Sequence, residues 1–244
     1  MTEELLDVSL EERFQAVSEK IAAAAREAGR DTAEITLVAA TKTQTAETVK
    51  RVIASGVTVC GENRVQELTD KLAAFAYDGA QVHLIGHLQT NKVKAVVGRV
   101  ELIHSVDSMR LLEEISKRAE GLGIVQDILL EVNIAGEASK EGAPPEEIRA
   151  IAARAAALAG VRLRGLMCIP PPALKPGDNR AFFAATHNLF VDIRNEMRDN
   201  VSNVNCLSMG MSDDYEDAIR EGATLVRVGT ALFGPRSPIG QMKF

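Results

Sequence analysis

The residues best suited to chemistry lie near the two ends of the chain. Lys42 closes the stretch "LVAATK", a run of small and apolar residues that has the composition of a buried strand. Alternation puts Thr36, Val38, Ala40 and Lys42 on one face and Ile35, Leu37, Ala39 and Thr41 on the other. An amine at an apolar mouth is partly desolvated, which disfavours its charge and makes it a better nucleophile toward carbonyls. The alternative is a lysine whose stem lies along the strand while its ammonium reaches solvent. Near the other end, "LSMGMSDD" sets Ser208, Gly210 and Ser212 around a tight turn before a helix, and "VRVGTALFG" repeats the design with Gly229 and Thr230. Glycines let backbone N–H groups approach an anion, hydroxyls add donors, and a helix N-terminus adds partial positive charge. Taken together, the lysine and the two loops describe one ligand, an aldehyde that carries a phosphate.

Arg227 alternates with Leu225 and Ala223, so it belongs to an interior set and needs an acceptor there. A carboxylate would satisfy it. So would the ring nitrogen of pyridoxal phosphate, which a permanent cation would keep unprotonated, leaving the ring a poorer electron sink.

These groups need a scaffold that brings them together. After an amphipathic segment over 10–28, short apolar runs alternate with helical windows to the end of the chain, the pattern of repeated βα units. The strand candidates are 35–41, 57–60, 82–85, 102–105, 128–133, 163–168, 204–208 and 224–228, and eight strands close a barrel. Helical windows run over 46–55, 65–76, 108–121, 145–159, 180–199 and 213–221. Neither a Ser/Gly linker nor a low-complexity tract divides the chain, which predicts a single domain over 1–244. The expected fold is a (β/α)8 TIM barrel with an extra N-terminal helix. A doubly wound open sheet uses the same alternation, but its GxGxxG turn is absent.

Composition narrows the function. The chain has 244 residues, 46% of them hydrophobic, enough for one such barrel. A net charge of -6 argues against a surface built on nucleic-acid phosphates. Cys60, Cys168 and Cys206 follow no metal-binding spacing and are expected as reduced, mostly buried thiols. The N-terminus lacks a signal-peptide pattern and no window approaches a membrane span, so the expectation is a cytoplasmic protein without membrane partners.

Eight ordered segments carry a family resemblance: "VAATKTQ", "GENRVQEL", "HLIGHLQTNK", "IHSVD", "LEVNIAGEASKEG", "GLMCIPP", "LSMGMSDDYEDAIREG" and "VRVGTALFG". By these the chain resembles the YggS/PROSC family of pyridoxal 5'-phosphate homeostasis proteins, whose fold is similar to the N-terminal barrel of alanine racemase, a fold-type III arrangement. The resemblance implies that Lys42 forms a Schiff base with pyridoxal phosphate and that Asn63 lies beside the cofactor. It also implies that Arg227 faces the pyridine nitrogen and that Ser208, Gly229 and Thr230 hold the phosphate. Met209 lies in the same turn and is expected against the ring. The first dozen residues and the tail "PRSPIGQMKF" fall outside the motifs.

A cofactor site does not by itself imply turnover. Related racemases and decarboxylases use a second β domain and a partner subunit, and a racemase needs a base on each face of the substrate. This sequence closes at Phe244, soon after Gly234. Tyr215 opens a helix whose acids suit its positive end. His83 is expected in the core and His87 near the barrel mouth. The expectation is a monomeric protein that buffers or delivers vitamin B6 cofactor, with pyridoxal-phosphate-dependent apo-enzymes as recipients, no metal and no catalytic residue. The rival readings are an amino-acid racemase or lyase of the same fold, and a phosphate-binding barrel acting on a sugar phosphate. Lys140, in the loop "GEASKEG", is a candidate for cofactor exchange.

Overall fold

The computed structural model describes residues 8–137, 140–197 and 203–235. Eight parallel strands close a barrel in chain order: β1 (Thr36–Ala40), β2 (Val59–Glu62), β3 (Gln81–Leu84), β4 (Leu102–Val106), β5 (Gln126–Val132), β6 (Val161–Cys168), β7 (Cys206–Ser208) and β8 (Leu225–Val228). The expected (β/α)8 barrel is therefore the observed architecture. Closure comes from β8 returning to β1, with Val38 opposite Arg227 and Ala39 opposite Val228.

Helices cover the outside: α1 (Leu10–Glu27), α2 (Ala46–Ala54), α3 (Val65–Ala73), α4 (Met109–Leu122), α5 (Pro145–Ala156), α6 (Arg180–Glu196), α7 (Tyr215–Arg220) and the short α8 (Thr230–Phe233). Their starts follow local chemistry. Ser9 and Glu12 form a reciprocal capping box on α1, Thr45 caps α2, and Ser108 accepts from the Leu111 N–H at the start of α4. Pro145 occupies the first turn of α5, where a missing N–H costs nothing. Between β3 and β4 the chain makes a 3-10 turn, Thr90–Ala95, in place of an α-helix. The buried β-branched Val93, Val96 and Val97 suit a tight packed connection better than a regular helix.

Some windows end earlier than the sequence pattern suggests. The 65–76 window becomes α3 ending at Ala73, after which Phe75 takes φ 51° and turns the chain. The 180–199 window becomes α6 ending at Glu196, and its last predicted residue, Asp199, lies outside the described residues, as does the tail from Arg236.

Two cores result. The larger lies between sheet and helices, while Val38, Ala40, Val59, Ile85, Leu102, Leu129, Met167 and Leu225 pack together inside the barrel. Strand alternation then sends His83, His104, Glu131, Ser208 and Arg227 into the same lumen, and all five are buried. A polar layer inside an apolar barrel is costly unless its members satisfy one another, and the site depends on how they do so.

Backbone crowding makes two glycines opposite in character. At Gly165 in β6, with φ 147°, a Cβ would stand 1.8 Å from the Cys206 carbonyl oxygen. At Gly121 in α4 a Cβ would meet nothing within 4 Å. Gly165→Ala is expected to cost about 3 kcal/mol or more, whereas Gly121→Ala gains about 0.5–1 kcal/mol from helix propensity. Urea unfolding of the two variants checks both signs.

Candidate functional site

The C-terminal ends of the strands form a cleft of about 200 Å³ whose lining includes Lys42, Asn63, Ser212, Arg227, Gly229 and Thr230. That is small beside the roughly 300–1,000 Å³ of sites for drug-sized ligands, and it suits one small ring with side groups.

Lys42 stands two residues beyond the end of β1, half-buried at the rim. Its neighbours on both sides are fixed. Behind it, Thr41 donates from Oγ1 to Glu62 Oε1 at 2.6 Å, and Lys71 Nζ donates to the Thr41 carbonyl at 2.7 Å and to Glu62 Oε1 at 2.6 Å. The Tyr77 hydroxyl adds a third donor to the same carboxylate oxygen at 2.9 Å. This network is buried between β2 and α3, where removing one partner of such an ion pair typically costs about 3–5 kcal/mol. In front of Lys42, Thr43 takes φ 64°, a left-handed conformation unusual for a β-branched residue, and donates its N–H to Glu67 Oε2 at 2.6 Å. The strain turns the chain sharply just after the lysine.

Asn63 follows β2 and carries a buried amide oxygen, Oδ1, without a hydrogen-bond partner among the described residues. Gly86 permits this placement, because a Cβ there would lie 2.3 Å from the Asn63 carbonyl oxygen. An unsatisfied buried acceptor is costly without a partner, and this one belongs to a cleft-lining residue.

On the opposite side the loops after β7 and β8 meet. Ser212 Oγ accepts from the N–H groups of Gly229 and Ala231, each at 3.1 Å. Gly210, at φ 88°, allows the β7 loop to press on α7, since a Cβ would stand 2.5 Å from that of Ala218. Gly229 has an ordinary φ of -116°, and a Cβ there would lie 3.5 Å from Ala40. Its lack of a side chain therefore serves the space of the cleft rather than the backbone's conformation.

Arg227 lies between the two sides. Nη1 donates to Ser208 Oγ at 2.6 Å and Nη2 to the Cys168 carbonyl at 2.9 Å. Ser208 is fully buried, one layer below the cleft, and also meets His104 Nδ1 at 3.0 Å. Ser208 is thus set back from the cleft, because its lumen-facing register aims it at Arg227. Met209 has the opposite register and packs in the outer core, while Met211 and Ser212 reach the cleft instead. Of the residues singled out from sequence, Lys42, Asn63, Arg227, Gly229 and Thr230 converge on one cleft. His104, Glu131 and the Glu62–Lys71–Tyr77 network were not singled out. Strand alternation from Leu102 and Leu129 marks the first two as interior.

His83 is buried in the lumen against His104, with ring nitrogens 3.0 Å apart. His87 is exposed at the mouth, with Nδ1 3.7 Å from Asp107 and 3.2 Å from Glu141. Tyr215 is buried at the start of α7, and burial pushes its phenol up to about 12. Cys60 and Cys168 are buried thiols pushed up to about 12 and about 11 by desolvation, so neither is a ready nucleophile.

Glu131 projects into the lumen beneath the cleft. Burial raises its pKa from 4.5 to about 7, the Arg227 charge opposes that rise, and Asp107 and Glu141 reinforce it. Because the folded value lies above the unfolded one, its contribution to stability is present below pH 4.5 and is lost as pH rises through 7. Glu131→Gln is therefore expected to exceed the wild type in stability above pH 7, by up to about 3 kcal/mol, with the advantage vanishing toward pH 4.5. Urea unfolding across that range measures it, and a difference independent of pH would count against the assignment.

Comparisons with known proteins show what the chain is similar to. Residues 13–237 match the family model described as alanine racemase, N-terminal domain. A pyridoxal phosphate homeostasis protein of Aquifex aeolicus is 44% identical over 225 residues, covering 92% of this chain and 97% of that protein. One of Pseudomonas aeruginosa is 40% identical, covering 93% and 96%. Among solved structures, PipY of Synechococcus elongatus with pyridoxal phosphate bound superposes with a TM-score of 0.81 at 32% identity, covering 93% of this chain and all of that one. An alanine racemase of Clostridium difficile, at 14% identity and TM-score 0.67, shares the fold.

Proposed function

The chain belongs to the family of pyridoxal phosphate homeostasis proteins built on the alanine racemase N-terminal domain, and from that premise we propose that it holds pyridoxal 5'-phosphate on Lys42 as a single domain. The observation that carries the proposal is the convergence of an amine, a hydroxyl-and-amide cradle and a buried guanidinium on one cleft. Pyridoxal phosphate supplies an aldehyde that condenses reversibly with an amine, and a phosphate that anchors it.

Lys42 is the amine. Thr43 and the clamped Thr41 carbonyl hold its backbone, so little freedom is lost when it reacts. The Ser212 and Thr230 hydroxyls and the Gly229 turn receive the phosphate, with Ser212 held in place by the N–H groups of Gly229 and Ala231, which donate to its oxygen and leave its proton to point outward. Asn63, with its unsatisfied Oδ1, and Met211 flank the ring. Arg227 faces the ring nitrogen, and since a guanidinium donates without giving up its proton, that nitrogen stays unprotonated. Ser208 acts through Arg227, whose aim it holds.

The same site supports storage and delivery better than turnover. Keeping the ring nitrogen unprotonated weakens the cofactor as an electron sink. Among the described residues lining the cleft there is no His, Tyr or Cys to serve as a base opposite Lys42, and the carboxylate there, Asp213, is exposed at the rim. We read the protein as a cytoplasmic monomer that buffers the cofactor and passes it to pyridoxal-phosphate-dependent apo-enzymes. No helix among the described residues is long and apolar enough to cross a membrane.

Absorption spectroscopy with added pyridoxal phosphate tests this reading. The wild type is expected to show the long-wavelength band of a lysine-bound cofactor, Lys42→Ala none, and Ser212→Ala about tenfold weaker binding. Adding an apo-enzyme should drain the band. Conversion of an L-amino acid to its D-form faster than by free cofactor would favour the racemase instead.

A further inference from the structure

The larger opening lies at the other end of the barrel. A cavity of about 650 Å³ sits among the first residues of the strands. Its floor includes Val59, Leu102, Leu225 and His83, and Arg99, Arg162 and Arg164 stand around it with Glu101 and Asp127. In this fold that end normally serves stability and is closed by packed side chains. Among the described residues it is open, lined by apolar side chains and floored by a histidine, with Arg162 and Arg164 both paired to Asp127, at 2.6 and 2.7 Å, and Arg99 exposed beside them.

The histidine is the last link of a hydrogen-bonded chain across the lumen. The upper end of the chain favours one direction. Arg227 has no acceptor and donates from Nη1 to Ser208 Oγ, and the arrangement that leaves the buried Ser208 hydroxyl proton with an acceptor sends it to His104 Nδ1. His104 then carries its proton on Nε2 and donates to His83 Nδ1, 3.0 Å away. His83 in turn carries its proton on Nε2, the side away from His104. Both rings are neutral, since burial holds His104 well below its ordinary value and brings His83 down to about 4, with Asp127 opposing. The His83 contact to His104 is made through Nδ1, which leaves Nε2 on the side of the cavity that His83 lines. In this arrangement every link donates toward the lower mouth, and the chain ends in a polarised N–H on a residue that lines the cavity.

We propose that the lower mouth is a second binding site, for a small organic anion with a carboxylate or phosphate on an apolar body, and that its occupancy is felt at Arg227. The anion accepts from His83 Nε2–H with Arg99 beside it, and its body covers Val59, Leu102 and Leu225. An acceptor there polarises each successive link and makes Ser208 a stronger acceptor for Arg227. The coupling is reciprocal, so a ligand on Arg227 changes affinity below.

The test uses the full chain labelled with 15N at histidine and arginine, with no cofactor added. It is titrated with benzoate, with phenyl phosphate, and with benzyl alcohol as the uncharged control. His83 is expected on its Nε2 tautomer at the outset. An anion should shift the His83 signal saturably, with His104 and the Arg227 side-chain N–H following at the same midpoint, while benzyl alcohol leaves them in place. The tighter arm identifies carboxylate or phosphate. Arg99 is exposed and has no described side-chain partner, so Arg99→Glu should keep the fold and weaken the anion about tenfold. The proposal falls if His83 holds its proton on Nδ1, if neither anion shifts it saturably, or if Arg99→Glu has no effect. It also falls if His83 responds while His104 and Arg227 stay still. None of these signals depends on pyridoxal phosphate, so the reading of the upper cleft stands or falls separately.

Discussion

The site depends on one pairing, that of the first strand with the last. Residues 36–39 lie in register with 225–228, so a lysine from the start of the sequence and an arginine and phosphate cradle from its end share one mouth. Neither half is a site alone. Lys42 without β8 is an amine at a strand end, and the Ser212–Gly229–Ala231 cradle without β1 is a polar turn. Parallel strands so distant in sequence pair only when the intervening units are in place, which ties the site's existence to the whole barrel.

Closure also creates an interior that must be filled. Most of it is filled by branched and aliphatic side chains, as expected for this fold. The exception is a polar layer in which Arg227, Ser208, His104 and His83 satisfy one another in sequence. A buried guanidinium is tolerable because its donors find a hydroxyl and a carbonyl. The hydroxyl also meets an imidazole, which meets a second, and the contacts run from residue to residue toward the opposite mouth. The polarity of the lumen is a consequence of placing one permanent cation beneath the cleft.

Much of this was legible in the sequence. Alternation placed Val38, Ala40 and Leu225 with Lys42 and Arg227, because the two-residue period of a strand survives any detail of the barrel. The Gly/Ser turns after β7 and β8 were legible as anion donors for similarly local reasons. Ser208 was harder to place, since two serines flank that turn and only the register of β7 decides that Ser208 points inward and Ser212 toward the cleft. His104 and Glu131 lay inside strands that otherwise read as apolar, and their partners are up to 104 residues away. The Glu62–Lys71–Tyr77 network was invisible for the same reason, as its geometry exists only once α3 packs on β2.

Borohydride reduction of the protein after incubation with pyridoxal phosphate, followed by mass mapping of the peptides, tests the central claim most directly. A single pyridoxyl adduct on the peptide containing Lys42, with the buried Lys71 and the loop residue Lys140 unlabelled, is the result this account predicts. An adduct distributed over surface lysines, or none on Lys42, would contradict it.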